Sequence, residues 1–227
     1  MNWVKKSLAV CSRRAVKDAD KAQKREELIN AAARLFLKKD FAAISMDEVA
    51  EKAGVAKGTL YLYFKTKEEL ALGVLTIDTA EWLTALAAYL RETAPIAPAA
   101  YAAWFTRSLR DRPRYCKFIP ISALILEKNI SKSAARDFKL MVAEHLTGLS
   151  PRLQDKLGFP TPQSAARFLM QSHALVMGLW PCCFPTPVIA EIIAEEKLDM
   201  FRNDFFEVLE ASIVTLLAGT PRQKAMA

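Results

Sequence analysis

Eleven prolines occur in this 227-residue chain, and all of them lie beyond residue 94. Proline lacks a backbone donor and clashes with the preceding helical turn, so the stretch before it can run as uninterrupted helix. Glycine is scarce at seven residues, and few β-branched residues alternate, so no segment reads as a strand. The chain is therefore predicted to be all-α, with its later part cut by proline into separate helices. Its 52% hydrophobic content is enough to bury a substantial core in one large or two smaller domains.

Periodicity and capping signals place the elements. Leu28, Ile29, Ala32, Leu35 and Phe36 fall on one face of a helix over 24–39. Ser45-x-x-Glu48 is a capping box that opens a short second helix, and Gly54 ends it. A third helix runs from about Ala56 to Phe64, and a second box, Thr66-x-x-Glu69, starts a long fourth one reaching about Arg91. Further helices are predicted over about 98–110, 114–129, 131–150, 162–180 and 187–217. Pro120 and Pro151 mark a kink or a break, and Arg202 and Asn203 a division of the last helix. Thr161-Pro162 and Thr186-Pro187 each set an N-cap residue before a first-turn proline.

Residues 45–67, SMDEVAEKAGVAKGTLYLYFKTK, read as a helix-turn-helix. Ala50 is small where the second helix must cross the first closely. Gly54 accepts the positive φ of a tight turn without steric cost. Leu60, with Val49 and Val55, supplies the apolar seam. The residues that follow the turn mix basic, hydroxyl and phenol groups, which reach phosphates and base edges. Residues 1–67 hold fifteen Lys/Arg against eight Asp/Glu, so the whole net charge of +7 lies there and the remainder is neutral. Charge and motif coincide, which points to an electrostatic footprint for nucleic acid.

Several other classes are disfavoured. No uncharged apolar run reaches the ~18–20 residues of a membrane span. The apolar run Leu8–Cys11 is shorter than the ~7–15 residues of a secretory core, and a cytoplasmic protein is expected. Four cysteines, including the adjacent Cys182 and Cys183, have no zinc or disulfide spacing and are expected to be reduced. Simple packing is the plainer reading of that pair, with redox sensitivity as its alternative. His145 and His173 are the only histidines, and no metal site or cofactor is expected. No Gly-rich phosphate loop, nucleophile elbow or Ser/His/Asp order is present, and Glu127, Glu144 and Glu191 lack a partner pattern, so an enzyme is not expected.

The segment from about Lys24 to Leu70 resembles the N-terminal domain of TetR-family transcriptional regulators. RLFLKKDF, SMDEVAEKAGVAKGTLYLYF and KTKEEL carry the resemblance. It implies a basic N-terminal arm over 1–23, expected to be flexible, a reading domain over 24–67, and a helical ligand-binding and dimerisation domain over 68–227. In the reading domain the resemblance assigns Ser45 a capping role and a phosphate contact. Lys57 would reach guanine O6 and N7 in the major groove, or a phosphate. Gly58 would allow close approach to DNA, or merely be tolerated at a helix start. Thr59 would meet a thymine methyl or a phosphate. Tyr61 and Tyr63 would offer phenol hydroxyls, one to the DNA backbone and the other partly packed. Lys67 would clamp a phosphate with help from the helix dipole. Leu62 departs from the polar residue usual there, and either buries against the first helix or touches a base methyl. Two readings of Lys5, Lys6, Arg13, Arg14, Lys17 and Lys21 stand open: a basic arm following DNA, or a leader from a start assigned too early.

For the second domain the resemblance implies a dimer through the last two helices and an internal pocket. Phe168, Leu169, Leu175 and Leu179, with Phe205, Leu209, Ile213, Leu216 and Leu217, fit the interface, and core packing explains them equally well. The expected pocket draws on Trp104, Phe105, Phe118, Met141, Met170, His173, Met177 and Trp180, with Trp82, Ile121 and Leu124 as further candidates, and plain core packing is the alternative at each position. Such side chains suit an apolar or aromatic effector. The expected function is a ligand-responsive regulator, a repressor that binds a palindromic double-stranded DNA operator as a homodimer. The alternatives are a helical small-molecule carrier with a vestigial DNA domain, and a nucleoid-associated protein without a ligand.

Overall fold

The computed structural model describes residues 3–92, 95–122 and 125–220, with side chains from residue 19 onward. Among them no strand occurs, and the α-helices are α1 Trp3–Lys38, α2 Met46–Lys52, α3 Lys57–Tyr63, α4 Lys67–Glu92 and α5 Pro98–Arg110. There follow α6 Pro113–Ser122, α7 Lys132–Leu157, α8 Pro162–Cys183, α9 Pro187–Glu195 and α10 Phe205–Gly219. Short 3-10 turns lie at Phe41–Ala43, Leu126–Asn129 and Asp199–Phe201.

The element bounds refine the expectations. α1 begins at Trp3, so the arm expected to be flexible has helical backbone; neither Gly nor Pro precedes Gly54, and nothing in the sequence stops the helix. The helix expected over 114–129 ends at Ser122, two residues past Pro120. α7 instead runs through Pro151 to Gly158, whose φ of 72° closes it in the left-handed region. The stretch 187–217 is two helices, divided around Arg202 and Asn203 as expected, with the gap at 196–204, and Asp204 caps the second by accepting from the Phe206 and Glu207 amides.

The chain forms two compact units, Met1–Val74 and Leu75–Ala227, so the division falls inside α4 and not at its first residue. In the first unit Leu28, Ile29, Phe36, Val49, Leu60 and Phe64 are all buried. Gly73 belongs with them, because a Cβ there would lie 3.1 Å from Ile29 Cδ1 and 3.5 Å from Phe64 Cε1. An added methyl group there would press on the Ile29 side chain, which would have to shift to admit it.

In the second unit α8 packs against α6, α7 and α10, and α10 also packs on α5. Trp82 on α4 is fully buried and sits edge-on to Phe105 at 5.4 Å and to His173 at 4.7 Å. Its Nε1 donates to Ser108 Oγ at 2.9 Å, which satisfies the one polar atom of the ring. Asp78, buried on α4, receives both Nε and an Nη of Arg114 on α6. That fork-to-fork pairing holds the Arg114 pKa above its ordinary value and ties the two helices together. By length and composition α4 could cross a bilayer, but 61% of its apolar window is buried within the protein.

Candidate functional site

Two short helices and the turn between them build the first candidate site. Ser45 caps α2, its hydroxyl accepting from the Glu48 amide at 3.2 Å. The Glu48 carboxylate accepts from Lys39 Nζ at 2.6 Å, so only the serine half of the expected capping box is formed. Gly54 has a φ of 65°, and the turn is closed by Gly54 N donating to Glu51 O and Val55 N to Ala50 O, each at 3.0 Å. Ala50 is 3% exposed, and of the expected seam Val49 and Leu60 are fully buried while Val55 is half-buried.

α3 turns a distinct face outward. Lys57, Gly58, Tyr61 and Leu62 are exposed, Thr59 and Tyr63 half-buried, and Leu60 inward. Lys57 is paired with Asp47 of α2 at 2.7 and 2.9 Å, and this hydrogen bond holds its pKa above the ordinary lysine value. A Cβ on Gly58 would meet no atom within 4 Å, so nothing inside the protein requires a glycine there. Leu62 is 73% exposed, which removes the option that it buries against α1 and leaves it free to touch an outside partner.

The Lys67 ammonium donates to Phe41 O at 2.8 Å and Ile44 O at 2.9 Å, and stands 4.3 Å from the Phe41 ring centroid. It braces the 3-10 turn that leads into α2. The exposed Lys65 and Lys52, which the sequence reading passed over, lie on the same small unit.

The second candidate site is a cavity of about 250 Å³ among α4, α6, α7 and α8. Met170, His173 and Met177 lie in its lining, and so do Thr79, Tyr115 and Ser122, which were not anticipated. Phe105 and Phe118 are buried core outside the lining, and Trp104 stacks on Tyr89 at 4.4 Å. Trp180 packs on Phe184 and Phe205, and Met141 also lies off the lining. Trp82 is the hub described above, Ile121 is not in the lining, and Leu124 lies outside the described residues. His145 hydrogen-bonds Met141 O within its own helix at 2.8 Å.

His173 is the polar centre of the cavity. Its Nδ1 meets Leu169 O at 3.0 Å, and a carbonyl only accepts, so that nitrogen carries the proton. Burial pushes its pKa below the ordinary histidine value, so the ring is neutral and Nε2 holds a lone pair. Tyr115 Oη must then donate to Nε2, at 3.1 Å. The tyrosine's own pKa is raised, chiefly by burial.

A third feature is an open groove of about 730 Å³ along α8 and α10, lined by Leu175, Val208, Ala211 and Leu216 among others. Leu175 and Leu216 thus face outward, whereas Phe168, Leu169, Phe205, Leu209, Ile213 and Leu217 are buried within the unit itself. Leu179 is half-buried. Of the cysteines, Cys116 is buried and its thiol is pushed up to about 12 by desolvation, Cys182 is exposed and Cys183 is half-buried. None of these three is in a disulfide.

A head of two short helices with a polar, basic outward face, joined to an all-helical unit with an internal cavity, defines a bacterial helix-turn-helix regulator. Residues 28–74 match the family described as bacterial regulatory proteins, tetR family, and residues 77–224 match the tetracyclin repressor-like C-terminal domain. The chain belongs to the TetR family of DNA-binding transcriptional regulators. The uncharacterised HTH-type regulator YerO of Bacillus subtilis is 48% identical over 50 residues, covering 22% of this chain and 17% of that protein. Four curated relatives are matched over only 17%, 24%, 31% and 30% of their lengths. The solved structure of the multidrug binding protein EbrR complexed with imidazole has a TM-score of 0.56 at 18% identity, covering 90% of this chain and 98% of that one. The fatty acid degradation regulator FadR from Bacillus halodurans gives 0.54 at 14% identity, over 86% and 99%. At these identities the two structures establish the fold.

Proposed function

We propose that this regulator is a repressor that binds a palindromic operator as a homodimer and leaves it when a small apolar or aromatic ligand fills the cavity of the second unit. One observation carries the reading: Leu75, Thr79 and Leu83 of α4 line the cavity, and the same helix begins inside the DNA-reading unit. A ligand with different affinity for two positions of α4 changes the populations of both, and with them the separation of two reading heads. Dimerisation would use the outward groove of α8 and α10. One recognition helix of seven residues buries too little surface to specify a site alone, and a twofold pair reads two half-sites one helical turn apart.

On DNA, Lys57, Gly58, Thr59, Tyr61 and Tyr63 with Leu62 form the reading face, and Ser45 offers its hydroxyl at the start of α2. Lys67 supports that surface from behind, while the exposed Lys65 and Lys52 supply backbone charge. Binding should weaken steeply with salt, because phosphate contacts release counterions. The test is selection of bound sequences from a genomic fragment library with the full chain, followed by titration with candidate ligands. A palindromic consensus lost on ligand addition is the expected result. Absence of selective binding even at low salt overturns the reading.

A further inference from the structure

The lining of the α4–α6–α7–α8 cavity has an unusual hydrogen-bond balance. The polar protons of its Thr79, Tyr115, Ser122 and His173 side chains are committed to protein acceptors. Thr79 Oγ1 donates to Leu75 O at 2.7 Å, and Ser122 Oγ donates to Ile119 O at 2.7 Å. His173 Nδ1 donates to Leu169 O, and Tyr115 Oη donates to His173 Nε2. The Thr79 and Tyr115 hydroxyls also interact with each other, and what remains on the three hydroxyl groups is oxygen lone pairs. The single cation in the lining, Lys139, has a 64% exposed side chain and is already paired with Glu127 at 2.7 Å. It marks the mouth of the cavity, not its interior. The rest of the lining is aliphatic or aromatic, with Leu83, Ile119, Phe138, Val142, Leu146 and Leu169 prominent.

Chemistry follows from that balance. A buried anion needs donors or a cation, and without them its desolvation is costly. A carboxylate here would face lone pairs and would have to break an existing bond to gain a donor. A neutral hydroxyl does the reverse. It donates to an oxygen that has spare lone pairs, and acceptance at Tyr115 Oη strengthens the bond that this oxygen donates to His173. Resting on the proposed role of the cavity as the effector site, we infer that it takes a small apolar alcohol or phenol, whose hydroxyl donates to the Thr79 and Tyr115 oxygens, and that it rejects the carboxylate of the same skeleton. A volume of about 250 Å³ lies just below the ~300–1,000 Å³ of drug-sized sites, which limits the ligand to a compact one.

Three probes with one alkyl chain separate the alternatives: octan-1-ol, methyl octyl ether and octanoate. Calorimetric titration of the full chain at neutral pH should rank them in that order. The alcohol should bind about 3–10-fold tighter than the ether, the value of one net hydrogen bond, and at least about tenfold tighter than octanoate. Tyr115→Phe and, separately, Thr79→Val should shrink the alcohol-to-ether ratio toward one, and retained ether binding shows that each variant still folds. Octanoate binding as tightly as octanol, or a ratio unmoved in both variants, overturns the inference while leaving the cavity a ligand site. Failure of all three probes to bind overturns the inference and the effector-site reading together. Octanol binding that leaves operator affinity unchanged keeps this inference and overturns ligand release.

Discussion

Lys57, the first residue of the recognition helix, holds both carboxylate oxygens of Asp47, at 2.7 and 2.9 Å, across the turn between α2 and α3. Both side chains are more than half exposed, so the pair adds little to folding stability. Its consequence lies on the DNA side. Any phosphate or guanine that recruits Lys57 must displace a carboxylate, which itself repels phosphate. Asp47→Ala should therefore raise affinity for DNA by a few fold, more for random sequence than for the operator, and leave the melting temperature unchanged. Competition binding against random duplex checks this, and a loss of affinity would show that Asp47 positions the lysine productively. Lys57→Ala should change the selected sequence itself.

Lys67→Met addresses the opposite case, a cation turned inward. Charge-assisted bonds to the Phe41 and Ile44 carbonyls disappear, and loss of two such bonds should cost about 2–3 kcal/mol of stability. Thermal unfolding measures that cost. Among folded molecules the salt slope of DNA binding should stay as it was. If stability is untouched and the slope falls by about one, the lysine is a phosphate ligand after all.

Gly58→Ala separates two uses of a glycine. Nothing within 4 Å obstructs the added methyl group, and alanine favours helix by roughly 0.5–1 kcal/mol at an interior position, somewhat less in a first turn. The free protein should be as stable as the parent or slightly more so. Operator binding should drop by about tenfold or more, because the methyl group would occupy space needed by DNA; this magnitude corresponds to roughly 1.4 kcal/mol. Unchanged binding would mean that the position is open on DNA too.

His173 predicts a pH dependence with a definite sign. Burial holds its folded pKa below the ordinary value, so the folded state favours the neutral ring. The unfolded chain takes up a proton once pH falls below about 6.5, where the folded chain does not. Stability is thus fully present above that pH and is lost as pH falls, until the folded ring itself protonates. His173→Gln removes the titration, so its melting temperature should depend less on pH between about 7.5 and 5 than that of the parent. Parallel profiles would show that other groups carry the acid sensitivity.

The helix-turn-helix was legible because its determinants are local. A small residue, a glycine able to take positive φ and an apolar seam act within eleven positions of one another, and Ala50, Gly54 and Leu60 occupy those places in the fold. The bracing contacts of Lys67 were not legible, for the opposite reason. Its acceptors lie 23 and 26 residues earlier, and nothing in KTKEEL reveals a carbonyl brought close by the turn at Phe41–Ala43. Gly73 and Asp47 escaped notice likewise, since each matters only through a neighbour on another helix.

Helical content, the reading head and the excess charge of the first 67 residues came from the chain alone, because propensity, capping and charge act over a few residues. The cavity did not. Phe105, Phe118 and Met170 are equally apolar and equally helical, yet two are packed core and one borders the cavity. Periodicity says which way a side chain faces, but whether it meets another side chain or empty space depends on the spacing of the helices opposite. That spacing, and with it the line from Thr79 and Tyr115 to His173, exists only once α4, α6, α7 and α8 have packed.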